Sequence, residues 1–283
     1  MTMAEFKILL DGLMFTEGPR WHDGKLFFSD MHDHKVVSVD LAGEAQTVAE
    51  VPNQPSGLGW LPDGRLLIVS MTDRKVLRQD ADGLKTHADL ANLASFHCND
   101  MVTDARGRCY VGNFGYDLLS DAPKKLAEIV LVNPEGSARV AATDLDFPNG
   151  TVITPDGKTL VVGESMGHRL TAFDIQSDGS LTNRRVWAEL GEKTVPDGIA
   201  LDAENAIWVA SPMTFELLRV REGGAVAERI KFDTMPVACA LGGPGRRTLF
   251  VLTSGSIHAE ECRAKKDSKI WIKEVAVAGA GLP

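Results

Sequence analysis

Glu17, Ser56, Asn99, Asn149 and Asp197 occupy matching places in a repeating pattern, and all five carry side-chain oxygen. Ser56 lies eight residues before Gly64, Asn99 eight before Gly107, Asn149 eight before Gly157 and Asp197 eight before Asn205, while Glu17 lies seven before Gly24. The sixth copy puts Ala238 eight residues ahead of Arg246 and offers no ligand. An all-oxygen set containing two carboxylates is what a hard divalent cation requires, with waters completing about six to eight positions around Ca²⁺ or about six around Mg²⁺. Without a cation, Glu17 and Asp197 would repel one another in a confined site. A lone Asn-Gly or Asp-Gly pair is usually only a turn. The shared register singles out Glu17, Asn149 and Asp197; Asn99 and Ser56 stand second, because amides and hydroxyls also serve water, substrate or backbone.

Bringing such distant residues together needs a repeating scaffold, and the chain supplies one. Six segments share one grammar, among them "WHDGKLFFSDMHDHKVVSVD" from Trp21, "WLPDGRLLIVSMTDRKVLRQD" from Trp60 and "ITPDGKTLVVGESMGHRLTAFD" from Ile153. Each reads as a short strand, a Gly/Asp/Asn turn, an apolar strand, a polar loop and an alternating strand, and most are followed by a further extended run. Helical evidence is thin, confined to pieces such as "DLANLA" and "DAPKKLAE". Repeated four-stranded meanders bury both faces by packing radially, so the expected fold is all-β, a six-bladed β-propeller forming a single domain over residues 1–283. The last repeat lacks an outer strand, and the orphan N-terminal run "FKILLDG" is expected to complete it and close the ring.

Meander parity gathers the starts of the innermost strands at one end of the central channel, together with the loops joining second and third strands. Those loops carry His32, His34, Met71, Asn113, Phe114, Tyr116, Glu164, Met213 and Phe215, and the two longest, after Phe114 and after Thr253, read as lids. Phe114, Tyr116, Met213 and Phe215, with Asn99, are the expected substrate contacts, and their chemistry suits a partly apolar small molecule. Singly, each is more often a packing residue. The His32–His34 "HDH" is a weak zinc signal, lacking a nearby third ligand.

The remaining bulk properties narrow the partners. A net charge of -9 without long like-charge runs speaks against nucleic acid or an anionic membrane surface. No apolar run approaches the roughly 20 residues that span a bilayer, and the N-terminus does not read as a secretory leader, so a cytoplasmic location is expected. Cys98, Cys109, Cys239 and Cys262 form no C-x-x-C pair and read as reduced thiols, and the "NGT" sequon at Asn149 then carries no glycan. The sequence leaves the oligomeric state open.

The ordered set "FTEGPRW", "CND", "FPNG" and "VPDGIALD" resembles the senescence marker protein, gluconolactonase and luciferin-regenerating enzyme family of six-bladed propellers, over nearly the whole chain. That resemblance implies one divalent metal on Glu17, Asn149 and Asp197, with Asn99 bordering metal and substrate. It also implies hydrolysis of lactones, with some related propellers cleaving organophosphates. Ca²⁺ is the foremost expectation, and Mg²⁺, Mn²⁺ or Zn²⁺ are alternatives. Asp197 is the expected general base, with His97 the second candidate. Sugar-lactone members commonly have arginine where this chain has His97 in "FHCND"; an imidazole offers fewer donors than a guanidinium, which argues against a polyhydroxylated substrate. The alternative for His97 is a structural loop histidine. The functional expectation is therefore a metal-dependent hydrolase opening a lactone or related ester. The alternatives are organophosphate hydrolysis or another metal-assisted addition or elimination, and a non-catalytic binding propeller.

Overall fold

A computed structural model describes residues 3–120 and 122–282. Among them, 24 strands form six four-stranded antiparallel sheets arranged as propeller blades. Five blades run in simple sequence order. The sixth has the order Lys7–Leu13, Ser268–Glu274, Thr248–Ser254, Met235–Gly242, so the N-terminal strand is its outer edge, as expected from the orphan run. Lys7 faces Ile272 and Leu13 faces Ser268 across this closure.

Each hairpin follows local chemistry. Asp23 and Gly24 both have positive φ (50° and 78°), the conformation that a two-residue hairpin turn demands. In the fourth blade Gly157 supplies the positive φ (69°), while the Asp156 carboxylate accepts from the Lys158 N–H and the Thr154 hydroxyl. Asp156-Gly157 is thus a turn. Asn149-Gly150 is not: it lies inside the innermost strand Pro148–Ile153.

What Gly150 provides is room. A Cβ there would sit 2.4 Å from the Asp197 carbonyl oxygen and 2.5 Å from the Ile199 nitrogen. At Gly198 it would sit 2.6 Å from the Ala238 Cα, and at Gly57 2.3 Å from the Met101 nitrogen. The innermost strands therefore approach backbone to backbone, and Gly150 N–H donates to the Asp197 carbonyl (3.1 Å) as Gly198 N–H does to Val237 (2.9 Å). The residue before each of these positions is held at one level around the channel.

Strand pairing corrects one expectation at that level. Thr16 faces Asp30, Pro55 faces Ser70, Cys98 faces Asn113, Pro148 faces Glu164 and Pro236 faces Thr253. The residues that follow are Glu17, Ser56, Asn99, Asn149 and Val237, so the sixth position is Val237 rather than Ala238. The sixth turn is longer, running through Gly243 and Pro244–Arg246, and counting back from it slips by one.

Apolar side chains fill the spaces between blades, with Phe28, Leu67, Val69 and Phe250 in one shared cluster and Trp208 in the next. Helix is scarce, but not where the sequence suggested. The "DLANLA" piece and the described residues 122–128 of "DAPKKLAE" form none, whereas Ala259–Lys265 is a helix inside the long loop after Thr253. Glu261 and Lys265 pair along it (3.1 Å), and Arg263 Nε donates to the His32 carbonyl (3.4 Å), docking the sixth-blade loop on the first blade. All four cysteines are buried and unpaired. Among the described residues no helix is long and apolar enough to cross a membrane.

Candidate metal and substrate site

Glu17, Asn99 and Asn149 are buried side chains at the mouth of the channel. Asp197 retains partial solvent access. Glu17 lies within the electrostatic reach of both Asp197 and Asp100. Burial first, then repulsion by Asp197 and Asp100, raises its carboxyl well above the usual range; a bond from the Gly18 N–H (3.2 Å) offsets little. Asp197 is pushed up to about 8, chiefly by burial and secondarily by Asp100, with the Asn149 amide pulling the other way. Two carboxylates are thus crowded together and underpaid in positive charge.

The nearest basic side chain is committed elsewhere. Arg20 donates to Asp100 (2.6 Å), to the carbonyls of Leu58 (3.2 Å) and Pro19 (2.9 Å), and to that of Met101. Asp100 also accepts from its neighbour's N–H at Met101 (2.9 Å). Its carboxyl is raised by burial and lowered by Arg20. Arg20 and Asp100 stand within electrostatic reach of Glu17, and sequence reading missed both as site residues. The signal was present in "EGPRW" and "CND", where each adjoins a singled-out residue.

The two amides have settled orientations. Asn99 Nδ2 donates to the Pro148 carbonyl (3.2 Å), which can only accept. Ser165 spends its hydroxyl proton on the Pro196 carbonyl (2.7 Å), so its oxygen must accept from Asn149 Nδ2 (3.3 Å). Both NH₂ ends are engaged, and among the described hydrogen bonds neither amide oxygen has a donor. Two carboxylates in need of counter-charge and two free amide oxygens fit a hard divalent cation. Among the described residues no group of three or more His, Cys, Asp and Glu side chains is placed to hold a metal, so a cation here would rest on the carboxylates of Glu17 and Asp197 together with amide oxygen. Ser56 is also buried at this level.

The other predicted residues divide. His97 stacks on Phe96 (centroids 4.0 Å, 21°) and lies 6.4 Å from Phe114. Burial lowers its pKa, and the charges acting on it are Asp117 and Arg74, not Glu17 or Asp197. Its ring makes no hydrogen bond among the described residues. Phe114 stacks on Phe147 (4.5 Å, 17°), and Tyr116 meets Phe147 edge-on (6.5 Å, 81°). Met213 and Phe215 are exposed on the fifth-blade loop. Met213 lines an open groove of about 930 Å³ with His168, Lys193 and Arg229, whose lining includes none of Glu17, Asn99, Asn149 and Asp197.

Several loop residues turn inward instead. Met71 is core, and Asn113 Nδ2 donates to the Glu128 carbonyl (3.0 Å). Glu164 is fully buried and bound by Arg169 (3.0 Å), Arg184 (3.1 Å), Thr171 and the Asp146 N–H (2.7 Å). His32 contacts the Ile257 carbonyl (3.3 Å) and Gln54 (3.4 Å), and the "HDH" pair gains no third ligand.

A 6-deoxy-6-sulfogluconolactonase of Pseudomonas putida is 28% identical over 255 residues, covering 87% of this chain and 85% of that protein. Regucalcin of Gallus gallus is 24% identical over 278 residues, covering 94% and 92%. The crystal structure of regucalcin from Agrobacterium tumefaciens superposes with a TM-score of 0.83 at 22% identity, covering 100% of this chain and 97% of that one. The model of the SMP-30/Gluconolactonase/LRE-like region matches residues 15–255, which span all five oxygen-bearing positions, and the chain belongs to that family.

Proposed function

We propose that the protein is a divalent-metal-dependent hydrolase that opens a lactone or a related ester. Family membership and the lactonase name of the P. putida relative support the reaction class. The crowding of Glu17 against Asp197 beneath two unclaimed amide oxygens is the observation that carries the metal dependence. The A. tumefaciens neighbour is described as calcium-binding, which favours Ca²⁺ among the oxygen-loving ions.

Glu17, Asn149 and Asp197 would hold the cation, with Asn99 bordering it. Such an ion polarises a carbonyl and acidifies water, worth several kcal/mol of charge stabilisation. In the reaction, water adds its oxygen to the lactone carbonyl and gives up a proton; the ring C–O bond then breaks, and the leaving alkoxide takes up a proton to give a hydroxy acid. Asp197 is the base we assign, because its carboxyl stands against Glu17 at the candidate cation site and burial raises its affinity for a proton. His97 is less suited, standing among aromatic rings away from the carboxylates. Asn99, pinned by Pro148, would orient the substrate.

The test is a lactone and ester panel read by acid release, after chelation and then with Ca²⁺, Mg²⁺, Mn²⁺ or Zn²⁺ restored. The expected outcome is turnover that chelation abolishes and one cation restores, with Glu17→Ala at least about a hundredfold slower. Turnover unaffected by exhaustive chelation would contradict the proposal.

A further inference from the structure

Phe96, His97, Phe114, Phe147 and Tyr116 form a continuous aromatic wall along the third and fourth blades. Consecutive centroids are 4.0, 6.4, 4.5 and 6.5 Å apart. The wall is fixed to the candidate cation site by the backbone. His97 precedes Asn99 by two residues and Phe147 precedes Asn149 by two, and Asn99 Nδ2 on the Pro148 carbonyl ties the two segments together. The Phe114 N–H donates to the His97 carbonyl (3.0 Å), locking the middle of the wall to its end.

Phe147 carries a second mark. Its φ is +61°, in the left-handed region that a bulky side chain rarely adopts, and the proline that follows restricts it further. Gln54, at the matching place two residues before Ser56, shares it (φ +65°), so the entry into the innermost strand enforces the conformation. Here Phe147 is buried beneath Phe114, whereas Phe96, His97, Phe114 and Tyr116 all keep partial exposure at the channel mouth. The cation–π contacts among the described residues involve Phe173, Trp271 and Phe6, so no arginine or lysine caps these rings. A polyol would find few donors on such a face; a flat apolar group would find rings to stack on.

We infer that the substrate carries a planar apolar group, such as an aryl ring fused to or borne by the lactone, and that Phe114 and Phe147 with Phe96, His97 and Tyr116 are the specificity wall that receives it. This deepens the hydrolase proposal and names the substrate class for the same site. Its binding test stands apart from turnover.

Coumarin serves as a binding probe by ligand-observed NMR, and dihydrocoumarin and glucono-1,5-lactone serve as competing substrates. Measured in chelator, so that no cation takes part, wild-type protein is expected to bind coumarin. Phe114→Ala and the milder Phe114→Leu, each verified by an unchanged melting profile, are expected to weaken binding about tenfold and severalfold. Tyr116→Ala, at the wall's outer end, supplies a second reading if the Phe114 variants fail to fold. Dihydrocoumarin is expected to be turned over with kcat/KM at least tenfold above glucono-1,5-lactone. Absence of coumarin binding, binding indifferent to the wall variants, or a preference for the sugar lactone would overturn the inference. Coumarin binding through the wall without opening of any lactone would leave the inference standing and remove the hydrolase reading.

Discussion

Replacing Asp197 by Asn should make the metal-free protein more stable at alkaline pH, not less. An aspartate carboxyl that ordinarily titrates at 3.8 is pushed up to about 8 at this position. At about 1.4 kcal/mol per pH unit, keeping it ionised in the metal-free fold costs on the order of 5 kcal/mol, an upper bound because water and side chains relax around the charge. The sign follows from proton uptake. Between the unfolded and folded pKa values the native state holds more protons than the unfolded chain, so the metal-free protein loses stability as pH rises from about 4 to about 8. An amide in the same place removes that loss. A cation reverses it by holding the carboxylate ionised, and at a hundredfold excess over its Kd should add roughly 2.7 kcal/mol of stability. The assay is thermal melting of wild type and Asp197→Asn at pH 5, 7 and 9, with chelator and with Ca²⁺. The variant should melt higher than wild type at pH 9 in chelator, converge with it at pH 5, and respond much less to Ca²⁺. A variant less stable than wild type in chelator at pH 9, or one equally stabilised by Ca²⁺, would refute the reasoning.

Three other perturbations test the scaffold. Deleting residues 1–13 removes the outer strand of the sixth blade and exposes its edge, so the melting temperature should fall by roughly 10 °C or more in calorimetry. Arg20→Met strands the buried Asp100 carboxylate and should cost about 3 to 5 kcal/mol by denaturant unfolding, partly recovered in the Arg20→Met/Asp100→Asn double variant. Gly198→Ala drives a methyl group into the Ala238 backbone and should cost about 1 to 3 kcal/mol, lowering turnover by shifting Asp197 next door.

Much of this arrangement was legible before folding. Turn chemistry at Asp23-Gly24, Asp156-Gly157 and Asn205, with a spacing of seven or eight residues behind it, placed Glu17, Asn149 and Asp197 at one level, because a meander converts near-equal spacing into equal height. Height alone did not reveal who touches whom. Arg20 reaches Asp100 across 80 residues, and no local pattern marks a pair that forms between blades. Phe147 was hidden for another reason: its ring is turned by a backbone conformation that its residue type disfavours. The helix Ala259–Lys265 has good composition but only seven residues, too short to hold alone, and it depends on docking against His32. The sixth copy slipped by one because its turn is longer than the others.

The central claim is that Glu17, Asn149 and Asp197 together hold one divalent cation. Anomalous diffraction from crystals soaked in Mn²⁺, which scatters strongly and accepts oxygen ligands, tests it most directly. The account predicts a single dominant peak with oxygens of all three side chains at about 2.0 to 2.6 Å. A peak elsewhere, or none beside these residues at saturating Mn²⁺, would contradict it.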